Sequence, residues 1–130
     1  MLDIKFIREN LDIVKAAAVK KKITVDLDRL IVLDDTRRSL MTSIEGKKAE
    51  QNRVSDEIAK AGDASVREPL IASMQTVKAA VQAEEEQLKP VLEEWKALML
   101  QVPNIPDMTV PDGESDADNV EVRAWGELTK

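Results

Sequence analysis

The chain has 130 residues, enough for one domain, and a formal net charge of −6. It contains neither cysteine nor histidine, which excludes disulfides, thiolate metal sites and the commonest general base and metal ligand. No apolar run is long enough to span a membrane, and the acidic balance argues against general affinity for nucleic acid.

The first predicted elements are one or two short helices within residues 3–22. Four apolar residues recur there at helical spacing, namely Ile4, Ile7, Leu11 and Val14. The three lysines at positions 20–22 complement the negative end of a helix dipole, so we expect a helix to end there. The next residues break the pattern, and Thr24 and Asp26 are candidate N-caps for the following helix.

Two heptad runs follow, and a short turn at about residues 62–65 separates them. This pattern predicts an antiparallel helical hairpin over residues 26–102. Gly62 fits a position just beyond a helix end, and Ser65 begins a possible capping box. Pro90 lies at an outward position of the second helix, so we expect a mild kink rather than a break.

The turn fixes the register of the hairpin, because facing core positions must then sum to 131 or 132. The predicted pairs include Ile44 with Leu88, Lys47 with Glu84, Arg37 with Trp95 and, on one flank, Lys48 with Glu85. The Arg37–Trp95 pair suits cation–π stacking. We interpret Lys47 and Glu84 as a polar layer that sets register, in preference to a catalytic role.

After residue 102 the chain becomes rich in proline and acids, which predicts an extended linker over residues 103–117. Residues 118–126 then alternate apolar and polar side chains, a pattern typical of a half-buried strand. The predicted fold is therefore all-α: a long antiparallel two-helix coiled-coil hairpin with short N-terminal helices at its base, followed by an extended linker and a truncated strand.

The sequence contains no catalytic constellation, no phosphate-binding glycine loop and no metal-ligand cluster. The distal hairpin, residues 36–82, has eight basic and six acidic residues, so it is mildly basic within an acidic chain. Solvated charges are the usual explanation of such a pattern. If RNA binds there, the candidate contacts are Lys48, Arg53, Lys60, Arg67, Lys78 and Arg38.

The aromatic residues limit how RNA could be recognised. They are Phe6, Trp95 and Trp125, and we place Trp95 in the hairpin seam and the other two far from the tip. A hairpin without exposed aromatic side chains cannot stack on bases. It can offer only basic and polar contacts to phosphate and ribose, which favours recognition of RNA shape over base sequence.

Four segments together resemble the N-terminal region of bacterial-type seryl-tRNA synthetases. These segments are "MLDIKFIREN", "DLDRLIVLDDTRRSL", "KKAEQNRVSDEI" and the exit "VPNIPDMTVP…SDADNVEVRAWGE". The resemblance covers nearly the whole chain in order, and the exit motif is its most specific part. It implies a helical arm that extends from a class II catalytic domain in a cytoplasmic homodimer.

The resemblance also implies a division of the chain and its partners. Residues 1–102 would form the tRNA-binding arm, residues 103–117 the linker, and residues 118–130 the start of a catalytic domain absent from this chain. The arm would bind serine tRNA through its long variable arm and elbow, with no DNA or membrane partner. The fragment itself would be no enzyme and hold no cofactor, while the parent ligase would use ATP with magnesium. The competing hypothesis is a coiled-coil protein-interaction or scaffold hairpin without an RNA role.

Overall fold

The computed structural model describes residues 1–126. Its helices are α1 (Ile4–Glu9), α2 (Leu11–Lys20), α3 (Leu27–Lys60) and α4 (Ala64–Gln101), with one 3-10 turn at Asp116–Asp118. The chain divides into two compact units. We call Met1–Thr24 with Val102–Lys130 the terminal unit, and Val25–Gln101 the hairpin unit. No helix within residues 1–126 combines the length and apolar character needed to cross a membrane.

In the terminal unit, the apolar spacing of the first 20 residues produces two helices. Ile7 of α1 and Val14 of α2 are both fully buried. Asn10 lies between the helices, and both its backbone N–H and its side-chain amide donate to the carbonyl of Phe6, at 2.9 and 3.1 Å. These bonds satisfy a carbonyl in the last turn of α1. Asn10 itself has a non-helical backbone, with φ of −129° and ψ of 39°, and the first helix ends there.

In the hairpin unit, capping residues mark the start of α3 and the turn between α3 and α4. Asp26 is the N-cap of α3, because its carboxylate accepts from the backbone N–H of Arg29 at 2.8 Å. Gly62 follows the C-cap of α3 but does not adopt a left-handed conformation. The proposed capping box at Ser65 is wrong: α4 begins one residue earlier, and Asp63 accepts from the N–H of Ser65 at 3.2 Å.

The α3–α4 seam follows the predicted heptads. Ile44 and Val54 of α3 and Val81 of α4 are all buried. None of the predicted core positions, a and d of the heptads, is exposed. The a positions are Leu30, Arg37, Ile44, Gln51 and Ile58 in the first run and Met74, Val81, Leu88, Trp95 and Val102 in the second; the d positions are Leu33, Leu40, Lys47, Val54 and Ala61 in the first run and Leu70, Val77, Glu84, Val91 and Leu98 in the second. Helix α4 continues through Pro90 to Gln101, so the proline does not break it. Pro90 is exposed, so its ring does not disturb the packing of the seam; its cost is a lost backbone hydrogen bond and crowding against the carbonyl one turn earlier.

The predicted strand is not formed. Residues 120–126 have no regular secondary structure, and Val120 and Val122 are 66% and 96% exposed. A strand is stable only when its backbone groups pair with a neighbour, and the structure has no strand within residues 1–126 to supply one. The linker is also less extended than predicted, since it ends in the 3-10 turn. Residues 127–130 of the predicted segment 118–130 lie outside the described residues.

Candidate nucleic-acid interface

The predicted polar layer is present in the hairpin seam. Lys47 Nζ donates to Glu84 Oε1 and to Ser43 Oγ, both at 2.7 Å, and Ser43 donates to the same Glu84 oxygen at 3.0 Å. The hydrogen bond from Lys47 is the main reason that the pKa of Glu84 lies below its usual value, and burial opposes the shift. The three side chains hydrogen-bond one another through Glu84 Oε1, while Glu84 Oε2 is buried without a hydrogen-bond partner. The mutual bonding fits a structural layer rather than a reactive site.

The predicted Arg37–Trp95 pair is also present, and it includes an acid that the heptad did not predict. The guanidinium carbon of Arg37 lies 4.8 Å from the centroid of the Trp95 ring. The same group binds Asp34, with Nη2 2.8 Å from Oδ1, although Asp34 is fully buried at an e position. Arg38 approaches the other oxygen of Asp34 at 3.6 Å. Of the candidate RNA contacts, Arg38 is therefore partly engaged within the hairpin.

Two other candidate cations are strongly engaged on the protein itself. Arg53 binds Glu50 and Glu57 on its own helix, and the hydrogen bond to Glu50 is the main cause that raises the pKa of the guanidinium. Arg67 donates to the backbone carbonyl of Ala61 at 2.8 Å, so it closes the turn between α3 and α4. Both side chains have structural partners that an RNA phosphate would have to replace.

The remaining candidates, all lysines, differ in whether the ammonium group has a partner on the protein. Lys48 pairs with Glu85 at 2.7 Å, as predicted, and its side chain remains 54% exposed. Lys60 and Lys78 are exposed and make no ion pair or hydrogen bond with any side chain in the described part of the chain. An exposed ammonium group without a partner can bind a phosphate most favourably, because it loses little hydration and breaks no existing ion pair.

The structure brings two of the six candidates together. Lys48 and Lys78 line one shallow depression on the hairpin, together with Gln51 and Gln82. Glu85 and Glu86 also line it, so the depression carries no net positive charge. Arg53 and Lys60 occupy c positions, on the opposite flank of the seam from these e-position lysines. The two glutamines were missed by the sequence analysis, because uncharged amides on a coiled coil carry no signal by themselves. They can nevertheless donate to phosphate or ribose oxygens.

The side chains of the described residues limit the kinds of contact that the hairpin can make. Among residues 1–126 no group of three or more acidic side chains is arranged to hold a metal ion. Trp95, the one aromatic residue in the hairpin sequence, is half-buried in the seam, so the hairpin offers no base-stacking platform. Its exposed polar chemistry is limited to amide, hydroxyl and charged groups, which suit a nucleic-acid backbone.

The chain is similar to a group of known proteins. The seryl-tRNA synthetase N-terminal domain family matches residues 1–106. The serine–tRNA ligase of Trichlorobacter lovleyi is 44% identical over 128 residues, which cover 98% of this chain and 30% of that protein. The ligase of Caldanaerobacter subterraneus subsp. tengcongensis is 45% identical over 134 residues, or 100% of this chain and 31% of that protein.

A solved structure shows the same likeness in three dimensions. The crystal structure of seryl-tRNA synthetase from Pyrococcus horikoshii complexed with ATP matches with a TM-score of 0.72 and 29% identity. The match covers 97% of this chain and 29% of that one, so the chain spans about a third of the length of these relatives. The family match covers residues 1–106, which is most of this chain, and the chain therefore belongs to the seryl-tRNA synthetase N-terminal domain family.

Proposed function

We propose that this chain is the tRNA-binding arm of a serine–tRNA ligase. The observation that carries the proposal is a long hairpin of this family whose exposed cations include Lys60 and Lys78, both free of partners in residues 1–126. The hairpin exposes no aromatic side chain, so contacts fall on phosphate and ribose rather than on bases. Serine tRNA is read by the shape of its long variable arm and elbow.

The chemical step belongs to a catalytic domain outside this chain. That domain uses ATP with magnesium to join serine to the tRNA, and the ligase acts as a cytoplasmic homodimer. The arm supplies binding and orientation, which raise the effective concentration of the acceptor end at the active site.

The first test is binding of the 130-residue chain to labelled serine tRNA at low and moderate salt. A serine tRNA without its variable arm is the control. We expect binding that weakens as salt rises, because each phosphate contact releases bound counterions. We also expect the shortened tRNA to bind less tightly. Equal binding of both RNAs would contradict recognition of the variable arm.

Matched glutamine substitutions test which cations contact RNA. Lys60 and Lys78 lie on opposite flanks of the seam, so Lys60→Gln and Lys78→Gln also test which flank faces RNA. The substitution on the contacting flank should lower the slope of log affinity against log salt by about 0.7–0.9, the effect of one phosphate contact. Arg53→Gln is the control, because Glu50 and Glu57 already compensate this charge. We expect Arg53→Gln to change the slope much less. If full-length ligase carrying both lysine substitutions binds serine tRNA with unchanged affinity and slope, the assigned contacts are wrong.

A further inference from the structure

Helix α2 ends in an unusual conformation. The backbone N–H of Ile23 donates to the carbonyl of Ala18 at 2.9 Å, and that of Lys22 donates to Val19 at 3.0 Å. These two bonds form a Schellman motif, whose C′ residue must adopt a left-handed conformation. Lys22 occupies that position with φ of 54°, the one positive φ at a non-glycine residue in the described part of the chain.

Glycine would fit this position better than lysine. A left-handed backbone brings Cβ close to the neighbouring carbonyl, and only glycine avoids the resulting strain. A strained residue is evidence that its side chain has a role, provided that contacts of the side chain support one. The contacts of Lys22 do so.

The side chains at the end of α2 hold a segment about 90 residues further along the chain. Lys22 Nζ lies 2.7 Å from Glu114 Oε1. Lys20 Nζ donates to the carbonyl of Val110 at 2.5 Å and lies 3.7 Å from Asp112. Lys21, between them, is exposed and makes no such contact within residues 1–126. We call the Lys20 and Lys22 contacts the lysine clamp.

The clamped segment is itself folded. Asp118 Oδ2 accepts from the backbone N–H groups of Glu114 and Ser115, at 2.6 and 3.2 Å. Gly113 packs so closely on this turn that a Cβ added to it would lie 2.4 Å from the Cβ of Asp118. The clamp therefore contacts the exit segment at two points, at Glu114 within this turn and at Val110 before it.

We infer that Lys20 and Lys22 are positioning residues, which fix the course of residues 107–118 against α2 and so set the direction in which the chain continues. The enzymatic consequence rests on the proposed function. In a full-length ligase, a fixed exit segment reduces the orientations that the arm samples before serine tRNA reaches the active site. Lower orientational freedom before binding increases affinity.

The clamp is exposed, and this determines the kind of effect to expect. The Lys22 and Glu114 side chains are 55% and 88% exposed, so their pairing is weakened by salt and contributes little to global stability. Its loss should free the exit segment locally and leave the helices intact. Local hydrogen exchange can separate these two effects, whereas a melting temperature cannot.

The first experiment compares hydrogen exchange of the 130-residue chain and two variants. Lys22→Gly removes the charge and relieves the backbone strain, so α2 should keep its protection. We expect amides of residues 110–118 to exchange several-fold faster, with α3 and α4 unchanged. Lys21→Ala is the matched control and should match the parent chain. Lys22→Glu combined with Glu114→Lys should recover much of the protection. Unchanged exchange at residues 110–118 in Lys22→Gly would overturn the inference.

The second experiment uses the full-length ligase with Lys20→Ala and Lys22→Gly together. We expect a several-fold higher KM for serine tRNA, while serine-dependent ATP–pyrophosphate exchange, which needs no tRNA, stays unchanged. Faster hydrogen exchange with an unchanged KM would overturn the positioning role. If serine tRNA fails to bind the arm at all, the proposed function fails, whereas the exchange result still decides whether the clamp exists.

Discussion

The guanidinium of Arg37 on α3 stacks over the indole of Trp95 on α4, with its central carbon 4.8 Å from the ring centroid. The same guanidinium hydrogen-bonds the fully buried carboxylate of Asp34 one turn earlier. Arg37 therefore joins the two helices through one face and compensates a buried charge through its edge. A carboxylate in this position needs such a partner, because an isolated buried charge is strongly unfavourable.

Replacing Arg37 should therefore destabilise the hairpin strongly. We expect Arg37→Met to lower the free energy of unfolding by about 3 kcal/mol, the low end of the range for a broken buried pair. The value is at the low end because Arg38 remains 3.6 Å from Asp34. Urea denaturation followed by circular dichroism measures the change.

Two controls separate the buried charge from the stacking contact. Arg38→Met removes an exposed cation next to the same acid and should lower the free energy of unfolding by less than about 1 kcal/mol. Arg37→Lys keeps the charge but loses the planar stacking and the two-nitrogen contact, so it should fall between the two. An Arg37→Met variant as stable as Arg38→Met would show that the buried acid does not depend on Arg37.

The seam of the hairpin could be predicted because two constraints act together. Heptad spacing selects the facing side of each helix, and the turn fixes the register, so contacts between residues nearly 60 apart follow by arithmetic. The Lys47–Glu84, Lys48–Glu85 and Arg37–Trp95 contacts are confirmed on this basis. The turn itself was less well predicted, because Asp63 and Ser65 are both good capping residues and periodicity does not choose between them.

Other features of the structure leave no periodic pattern in the sequence from which they could be predicted. Asp34 lies at a position that is usually solvated, and its burial depends on tertiary packing that a heptad does not describe. The contact of Lys22 with Glu114 joins segments with no common repeat. Residues 118–126 show that a clear pattern can also mislead. Their alternation predicts which side chains would share a face of a strand, but it does not supply the neighbouring strand that a stable strand requires.

The polar layer gives a second prediction about stability and assembly. Replacing Lys47 and Glu84 together by leucine should raise the melting temperature, because a packed apolar pair avoids the desolvation of two charges. It should also promote dimers, since a continuous apolar seam pairs equally well with a second chain. Glu84→Leu alone should lower the melting temperature, because Lys47 would then keep only Ser43 as a partner.

Thermal unfolding and sedimentation velocity of the two single variants and the double variant measure these effects. Lys48→Leu with Glu85→Leu is the matched control, because this pair lies on the flank and remains about half exposed. Its replacement should change the melting temperature much less. A Lys47/Glu84 double variant that is less stable than both of its single variants would contradict the prediction.

The turn at Gly113–Asp118 should open in acid. Hydrogen bonds from the backbone N–H groups of Glu114 and Ser115 hold the pKa of Asp118 below its usual value. Because the folded-state pKa is the lower one, the stabilising contribution is complete above the unfolded value of about 3.9 and is lost as pH falls through the folded value. We expect the amide resonances of Glu114 and Ser115 to titrate together, with a midpoint below about 3.9. Asp118→Asn keeps an acceptor but cannot ionise, so these resonances should lose that transition. A midpoint at or above the usual aspartate value would show that the two N–H groups do not stabilise the carboxylate.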